Sequence, residues 1–256
     1  MALSVVNWNS HNQIECAHLT ARNAAFPLHT HEEYVISANL SGVEQLSLHQ
    51  QTLTVHAGEI TLYNPETLQA SQFGDRPVEF FSVHLPQQVF ADLADRAPPI
   101  LREGVLRDPQ LFAAICGFAQ SPQEQEVQQQ NLLWLTSQLL KYSRDEALSS
   151  APESLGQALE CMRDNLTSKL TLDQLAAAAG LSKFHFVRQF RQQMGIAPLQ
   201  YHMQLRLLAA RNLLRHQHGT LEVAHRLGFY DQSHFINSFR KMMGITPHQY
   251  LRLIRR

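Results

Sequence analysis

Residues 175–201, LAAAAGLSKFHFVRQFRQQMGIAPLQY, return about 49 residues later as residues 223–250, VAHRLGFYDQSHFINSFRKMMGITPHQY, with one residue added in the turn of the second copy. The copies coincide at Ala176 and Ala224, Gly180 and Gly228, His185 and His234, Phe186 and Phe235, Phe190 and Phe239, Arg191 and Arg240, and Met194 and Met243. The run Gly195, Ile196, Pro198, Gln200 and Tyr201 recurs as Gly244, Ile245, Pro247, Gln249 and Tyr250. Agreement over that length predicts one structural unit used twice.

Each copy has the punctuation of two short helices joined by a turn. Thr171 is placed to cap the first helix, with Gln174 at the capping-box position, and Thr220 is expected to do the same in the second copy. Ala176 and Ala224 leave room for a crossing helix, and Gly180 and Gly228 supply the turn. Ser182 and Asp231 then cap the second helix. Its phenylalanines at 186 and 190, or 235 and 239, lie four apart and face one core. The opposite face is left to solvent: Lys183, Phe184, Val187 and Arg188 in the first copy, and Gln232, Ser233, Ile236 and Asn237 in the second.

That face carries the chemistry of major-groove reading. Arg188 can donate twice to a guanine edge, Gln232 and Asn237 can pair with adenine edges, and Val187 and Ile236 can meet thymine methyls. Lys183, Arg191, Arg240 and Lys241 suit phosphates. Thr246 before Pro247 opens a further helix whose N-terminus favours an anion, and Ala197-Pro198 is its weaker twin. Residues 198–215 between the copies read as a helix of about 27 Å, against a groove repeat of about 34–36 Å, so one chain can reach two groove segments. Taken singly, each polar residue is equally at home in solvent. The charge distribution favours DNA: residues 151–256 hold 14 Lys/Arg against 6 Asp/Glu, net +8, while residues 1–150 hold 7 against 16, net −9.

The first half has a different period. YVISANL, EQLSLHQQTLTV, EITLYN and VEFFSVHL between 34 and 85 are strand-like runs separated by glycine and proline signals, which suits a small antiparallel barrel or sandwich. Residues 108–119 and 124–142 read as helices, the second with an apolar stripe on Leu132, Leu135 and Leu139 that needs the barrel or a second subunit as partner. Residues 146–154 read as a linker. The expected architecture is a two-domain α+β protein: domain 1–145, with a barrel at about 26–95 and accessory helices at about 108–142, and an all-α domain 155–256. Cys16, Cys116 and Cys161 are widely spaced and imply neither a metal pair nor a disulfide framework. The N-terminus lacks a signal-peptide pattern and no run is long enough to span a membrane, so a cytoplasmic protein is expected.

The second half resembles the DNA-binding region of the AraC/XylS family of bacterial transcription regulators over residues 155–253. The resemblance rests on Ala224, Gly228-Phe229, Asp231, Ser233-His234-Phe235, Phe239, Arg240-Lys241, Gly244, Thr246-Pro247 and Tyr250, with Arg206, Ala210 and Leu213-Leu214 upstream. It implies two helix-turn-helix units, with DNA-contacting positions on Phe184, Val187 and Arg188 and on Gln232, Ser233 and Asn237. Leu251 stands where the family usually has arginine, which puts one phosphate contact in doubt. The partners implied are double-stranded promoter DNA, with the protein nucleoid-associated when bound, and RNA polymerase if the chain is an activator.

The first half then resembles the cupin-type effector or dimerisation domain of that family, on Phe26-Pro27-Leu28-His29-Thr30-His31-Glu32-Glu33-Tyr34, Gly58 to Leu62 and Asn64-Pro65. The resemblance implies a cupin-like β-barrel holding a small-molecule effector, with Trp8, His29, His31 and Tyr34 as candidate contacts. It also implies a homodimer through this domain, and residues 5–26 as an N-terminal arm with Trp8 as its lid. His29 and His31, two apart on a strand, invite a metal reading with Glu33. Gln69 stands where many cupins place a later histidine, and His56 or His84 could replace it only if the fold brought one close. No metal, cofactor or catalytic residue is assigned. Metal site, small-molecule pocket and dimerisation domain remain open for this half. A metal-binding cupin enzyme and a non-specific architectural DNA protein are the rivals to a sequence-specific regulator.

Overall fold

The computed structural model describes residues 2–11, 13–94, 97–121, 125–144 and 153–254, which form two compact units, one ending at Arg144 and the other beginning at Glu153. The expected linker at 146–154 lies almost wholly outside the described residues.

The first unit contains strands β1 (Ala2–His11), β2 (Ile14–Arg22), β3 (Ala24–His29), β4 (Tyr34–Ser41), β5 (Val43–Leu48), β6 (Gln51–His56), β7 (Ile60–Tyr63), β8 (Gln69–Phe73) and β9 (Val78–Leu85). After helix α1 (Gln87–Ala94) come β10 (Ile100–Leu101), β11 (Gly104–Leu106), α2 (Pro109–Ala119), α3 (Gln125–Leu140) and β12 (Ser143–Arg144). One antiparallel sheet runs β1-β2-β9-β4-β7-β11 and a second β3-β8-β5-β6, with β10 and β12 as a short separate pair. Val35 and Tyr63 of the first sheet pack with Leu46, Leu48 and Val55 of the second, so the sheets close face to face.

Strand alternation divides the first sheet into two chemical surfaces. The ladder Cys16, Val83, Ile36 and Leu62 is apolar and joins Leu111, Ile115, Leu132, Leu135 and Leu139 of α2 and α3 in one core. The adjacent ladder, Glu15, His84, Val35 and Tyr63, faces the second sheet and is half polar. The apolar stripe of α3 is thus buried against its own domain.

EQLSLHQQTLTV is a hairpin rather than one strand: β5 and β6 pair from Val43 with His56 to Leu48 with Gln51, and His49 and Gln50 turn the chain at φ 49° and 62°. Neither residue is a usual choice for a turn with two left-handed positions, so composition gave no sign of it. Residues 5–26 are not an arm over a cavity. They lie mostly in β1 and β2, a hairpin whose second strand pairs with β9, because β2 is buried on both faces and can satisfy its backbone only within a sheet.

The second unit contains α4 (Glu153–Asp164), α5 (Leu172–Ala178), α6 (Lys183–Met194), α7 (Pro198–Arg215), α8 (Thr220–Arg226), α9 (Gln232–Met243) and α10 (Pro247–Ile254). Thr171 and Gln174 form the expected capping box, and Ser182 and Asp231 cap α6 and α9 by accepting from the His185 and His234 amides. Thr220 does not cap. Gly219 is the N-cap of α8 and offers no side-chain bond, while Thr220 is the first helical residue, buried, with its hydroxyl accepting from Gln232 at 2.7 Å.

Aromatic chains hold each copy to the helix that follows it. Phe186, Phe190 and Tyr201 contact in series at centroid distances of 5.5 and 5.7 Å, and Phe235, Phe239 and Tyr250 repeat this at 5.7 and 5.9 Å. All six are almost fully buried. Burial of a single large apolar side chain stabilises by about 1.5–3 kcal/mol, so this aromatic spine is what holds α6 and α9 in place.

The two turns differ in their surroundings. Gly180 and Gly228 both have positive φ, 65° and 63°, but a β-carbon at Gly180 would meet open space. At Gly228 it would lie 2.1 Å from the Thr167 carbonyl oxygen. Beside it, Arg206 of α7 donates through Nε to the Leu227 carbonyl at 2.8 Å, and its guanidinium lies 4.5 Å from the Phe229 ring centroid. Gly180→Ala is therefore expected to destabilise the helical unit by about 1–2 kcal/mol, the cost of a left-handed L-residue, and Gly228→Ala by at least about twice that, because a backbone carbonyl must also move. Chemical unfolding followed by far-UV circular dichroism on the full chain measures both. Tryptophan fluorescence serves as the internal reference, since Trp8 and Trp134 both lie in the first unit. Equal losses at the two glycines would refute the packing difference.

Candidate nucleic-acid interface and effector site

Burial of the phenylalanine pairs leaves one side of α6 and one side of α9 uncovered. Lys183, Phe184, Arg188 and Arg191 are exposed and Val187 is half-buried; Ser233, Asn237, Arg240 and Lys241 are exposed and Gln232 and Ile236 are half-buried. Phe184, at 72 % exposure, is a large apolar group held in solvent at the start of a helix. All the residues expected to read or hold DNA on these helices therefore lie outside the core.

Three of them have intramolecular duties as well. Lys183 Nζ pairs with Asp173 at 2.7 Å, an exposed pair of little energetic weight. Gln232 gives its side-chain N–H to Thr220, which fixes the amide against the start of α8. Thr246 forms a capping box with Gln249, its hydroxyl accepting from the Gln249 amide at 3.2 Å and its own amide donating to Gln249 Oε1 at 2.8 Å. The missing arginine at 251 is accounted for structurally: Leu251 is buried, and Arg252 is the exposed cation beside it. Sequence reasoning passed over Tyr230, which is 92 % exposed in the turn leading into α9. Its signal was an aromatic two residues past the turn glycine Gly228 and next to the cap Asp231. Not all the basic residues are available to a ligand, since Arg206 and Arg211 are buried within α7.

In the first unit the candidate effector residues divide: His29 and His31 pack ring against ring at 4.8 Å between centroids, and Tyr34 lies on another face. Tyr34 belongs to the helix-facing surface: its ring packs on Phe90 at 5.1 Å and its hydroxyl donates to the Pro99 carbonyl at 2.6 Å. Two residues further on, the Asn64 amide pairs both ways with the Leu101 backbone at 2.8 Å. Tyr34 is thereby a core residue and not a pocket residue. Trp8 is buried, paired with Ala17 on the ladder that continues through Ser82 and Ser37, and so faces the second sheet. It is part of the sheet and not a lid.

His29 is buried at the end of β3, with Nδ1 2.7 Å from the Pro27 carbonyl and Nε2 3.1 Å from Gln69 Nε2. The pairing requires Nδ1–H to donate and Nε2 to accept, a neutral ring, and burial holds its pKa below the ordinary histidine value. His31 instead turns toward His84, at 5.0 Å between ring centroids, and brings Glu33 with it. His56 is exposed at the end of β6, where its amide donates to Glu59 at 2.6 Å, so of the two histidines that could have stood in for Gln69 the fold delivers His84.

Between the sheets, polar groups lie beside the apolar cluster of Val35, Leu46, Leu48, Val55 and Tyr63. Ser37 and Ser82 hydroxyls lie 3.2 Å apart, and Glu44 of β5 shares a hydrogen bond with Ser71. Burial pushes the Glu44 carboxyl above the usual carboxylate range, and burial together with Glu44 raises the Tyr63 phenol well above its ordinary value. A buried carboxyl held toward its protonated form can both donate and accept.

Comparison with known proteins agrees with this division. Residues 11–184 match the family model described as an AraC-like ligand binding domain, and residues 175–253 match a helix-turn-helix domain. The chain is 27 % identical over 240 residues to the uncharacterized HTH-type transcriptional regulator YbfI of Bacillus subtilis, covering 87 % of this chain and 86 % of that one. It is 34 % identical over 96 residues to the HTH-type transcriptional activator RhaS of Escherichia coli, covering 37 % of this chain and 34 % of that one. Among solved structures, ToxT of Vibrio cholerae with a bound unsaturated fatty acid superposes with a TM-score of 0.63 at 11 % identity, over 96 % of this chain and 97 % of that one, which establishes the shared two-domain fold. The ligand-binding match over more than half the chain, joined to the helix-turn-helix match on the duplicated segment, places this protein in the AraC/XylS family of transcription regulators.

Proposed function

We propose that this chain regulates transcription by reading two successive major-groove segments of promoter DNA, with its DNA affinity set by a small polar molecule held between the sheets of the first unit. The observation that carries the reading is the paired geometry of α6 and α9: each is capped by a Ser or Asp, anchored by two buried phenylalanines, and left with a polar or basic face in solvent. Arg188 and Asn237 are the base readers, with Phe184, Val187, Ser233 and Ile236 as apolar and hydroxyl contacts beside them. Gln232 joins them if its amide keeps one N–H for DNA while the other holds Thr220. Arg191, Arg240, Lys241 and the Thr246 helix start take phosphates, with Lys183 released from Asp173 to do the same and Tyr230 donating from the turn. Non-specific binding accounts less well for a face whose apolar and bidentate groups are suited to base edges.

Trp8, His29 and His31 are retained as walls of the effector site, joined by Glu44, Ser37 and Ser82. ToxT is crystallised with a fatty acid. The ladder seen here presents hydroxyl, imidazole and carboxyl groups, which give a compact ligand with several hydrogen-bonding groups more to bind than a long acyl chain would use. Residence in the cytoplasm, a homodimer through the first unit and contact with RNA polymerase complete the proposal. Among the described residues no helix is long and apolar enough to cross a membrane.

Two measurements test this. In footprinting and binding assays, Arg188→Ala and Asn237→Ala should each relax the base preference at one position by about 1–3 kcal/mol, roughly 5-fold to 150-fold. Arg191→Ala and Lys241→Ala should weaken binding to all sequences alike and each lower the slope of log affinity against log salt by about 0.9. Unchanged sequence preference in both reading variants, or equal affinity of the wild type for promoter and random DNA, would sink the assignment.

The second measurement concerns Glu44. Its folded pKa lies above the unfolded value of 4.5, so the folded state holds the proton more tightly, and the stabilisation this gives is present below pH 4.5 and is lost as pH rises through the folded value. Glu44→Gln mimics the protonated form. Its tryptophan-monitored Tm should exceed that of the wild type at neutral pH, with the difference vanishing in acid; a lower Tm at neutral pH would show that the ionised carboxylate is the native form.

A further inference from the structure

Three buried side chains of the first unit converge without a part in the DNA interface or the capping network. His31 and Glu33 lie between β3 and β4, and His84 lies near the end of β9, 53 residues further along the chain than His31. A ring nitrogen from each histidine and a carboxylate oxygen of Glu33 all lie within 4.8 Å of one another, and the three residues are 8 %, 4 % and 8 % exposed.

We propose that His31, Glu33 and His84 form a binding site for a divalent first-row transition metal, with Zn2+ or Fe2+ best matched to the donors. Two imidazoles and one carboxylate are a donor set that both ions accept. Ligand bonds of about 2.0–2.2 Å put two donors on one ion roughly 3–4.4 Å apart, so each side chain needs only a small rotation to close from the spacing seen.

The surroundings favour this trio over the His29 and His31 pair that the sequence suggests. His29 has one nitrogen on Pro27 and the other on Gln69, and its ring packs edge-on against His31 at 4.8 Å, so it orients the His31 ring from outside the site. Ser82 Oγ lies 3.4 Å from His84 Nε2 and fixes that ring from the neighbouring register. Three protein donors leave coordination positions for water or an oxygen-bearing ligand. The inference does not depend on the effector reading. A proton shared between Glu33 and an imidazole is the competing way to neutralise the cluster, and it binds no ion.

The test is titration of the metal-stripped, full-length protein with Co2+, followed by ligand-field absorption, and with Zn2+, followed by calorimetry. Saturation at one ion per chain is expected. Loss of an outer-sphere partner alone weakens metal sites by about 10–100-fold, so Glu33→Gln and His84→Gln should each weaken binding by at least about 100-fold. His56→Ala, which removes an exposed histidine of the same unit, should leave binding unchanged. Absence of saturable binding in the wild type, affinity retained in both Glu33→Gln and His84→Gln, or affinity lost in His56→Ala would overturn the proposal. Should a variant fail to fold, imidazole NMR of the wild type decides: Zn2+ should perturb chiefly His31 and His84 among the 14 histidines, and perturbation confined to others would overturn it equally.

Discussion

The four-residue spacing of two phenylalanine pairs is the constraint on which the DNA-binding half depends. Phe186 with Phe190, and Phe235 with Phe239, must leave water together, and each pair ends on a buried tyrosine of the following helix, Tyr201 or Tyr250. Once that face is fixed, helical geometry alone assigns Arg188 and Asn237 to solvent. The exposed surface is thus a consequence of the buried one, and the hydrogen-bonding groups on it are held by a spine that no contact with DNA has to assemble.

Helix α7 makes the two copies unequal. It carries Tyr201 for the first copy, and in its middle Arg206, which clamps the Leu227 carbonyl and lies over Phe229 of the second. A buried arginine is tolerable because the carbonyl and the aromatic face replace the water it gives up. The first copy has an open turn at Gly180, whereas the turn at Gly228 is locked beneath Thr167. This leaves α9 tied to the connecting helix at its entrance, while α6 is anchored chiefly by its core face.

In the sensing half, strand alternation does the corresponding work. One face of the first sheet is apolar and is covered by α2 and α3; the other carries Glu15, His84, Ser37 and Ser82 toward the second sheet. These groups bond among themselves, Ser37 with Ser82 and Ser82 with His84, so the interior is a hydrogen-bonded polar layer beside an apolar one.

The chain by itself determined the duplicated unit, its caps at Thr171, Ser182 and Asp231, the 18-residue helix between the copies and the identity of the exposed face, because all of these follow from contacts within about four residues along a helix. It misplaced Thr220 by one position because threonine serves equally as a cap or as a first helical residue, and Gln232, twelve residues on, decides between them. In the β half only the strongest strands were legible. The hairpin at His49 and Gln50 uses no turn-favouring residue, β1 and β2 declare themselves only when β9 is beside them, and the side of the sheet taken by Tyr34 depends on register. Bringing His84 to His31 and Glu33 is of the same kind: residues far apart in the chain meet because backbone pairing across β2, β9 and β4 sets which side chains share a face, and such pairing leaves no periodic trace in the sequence.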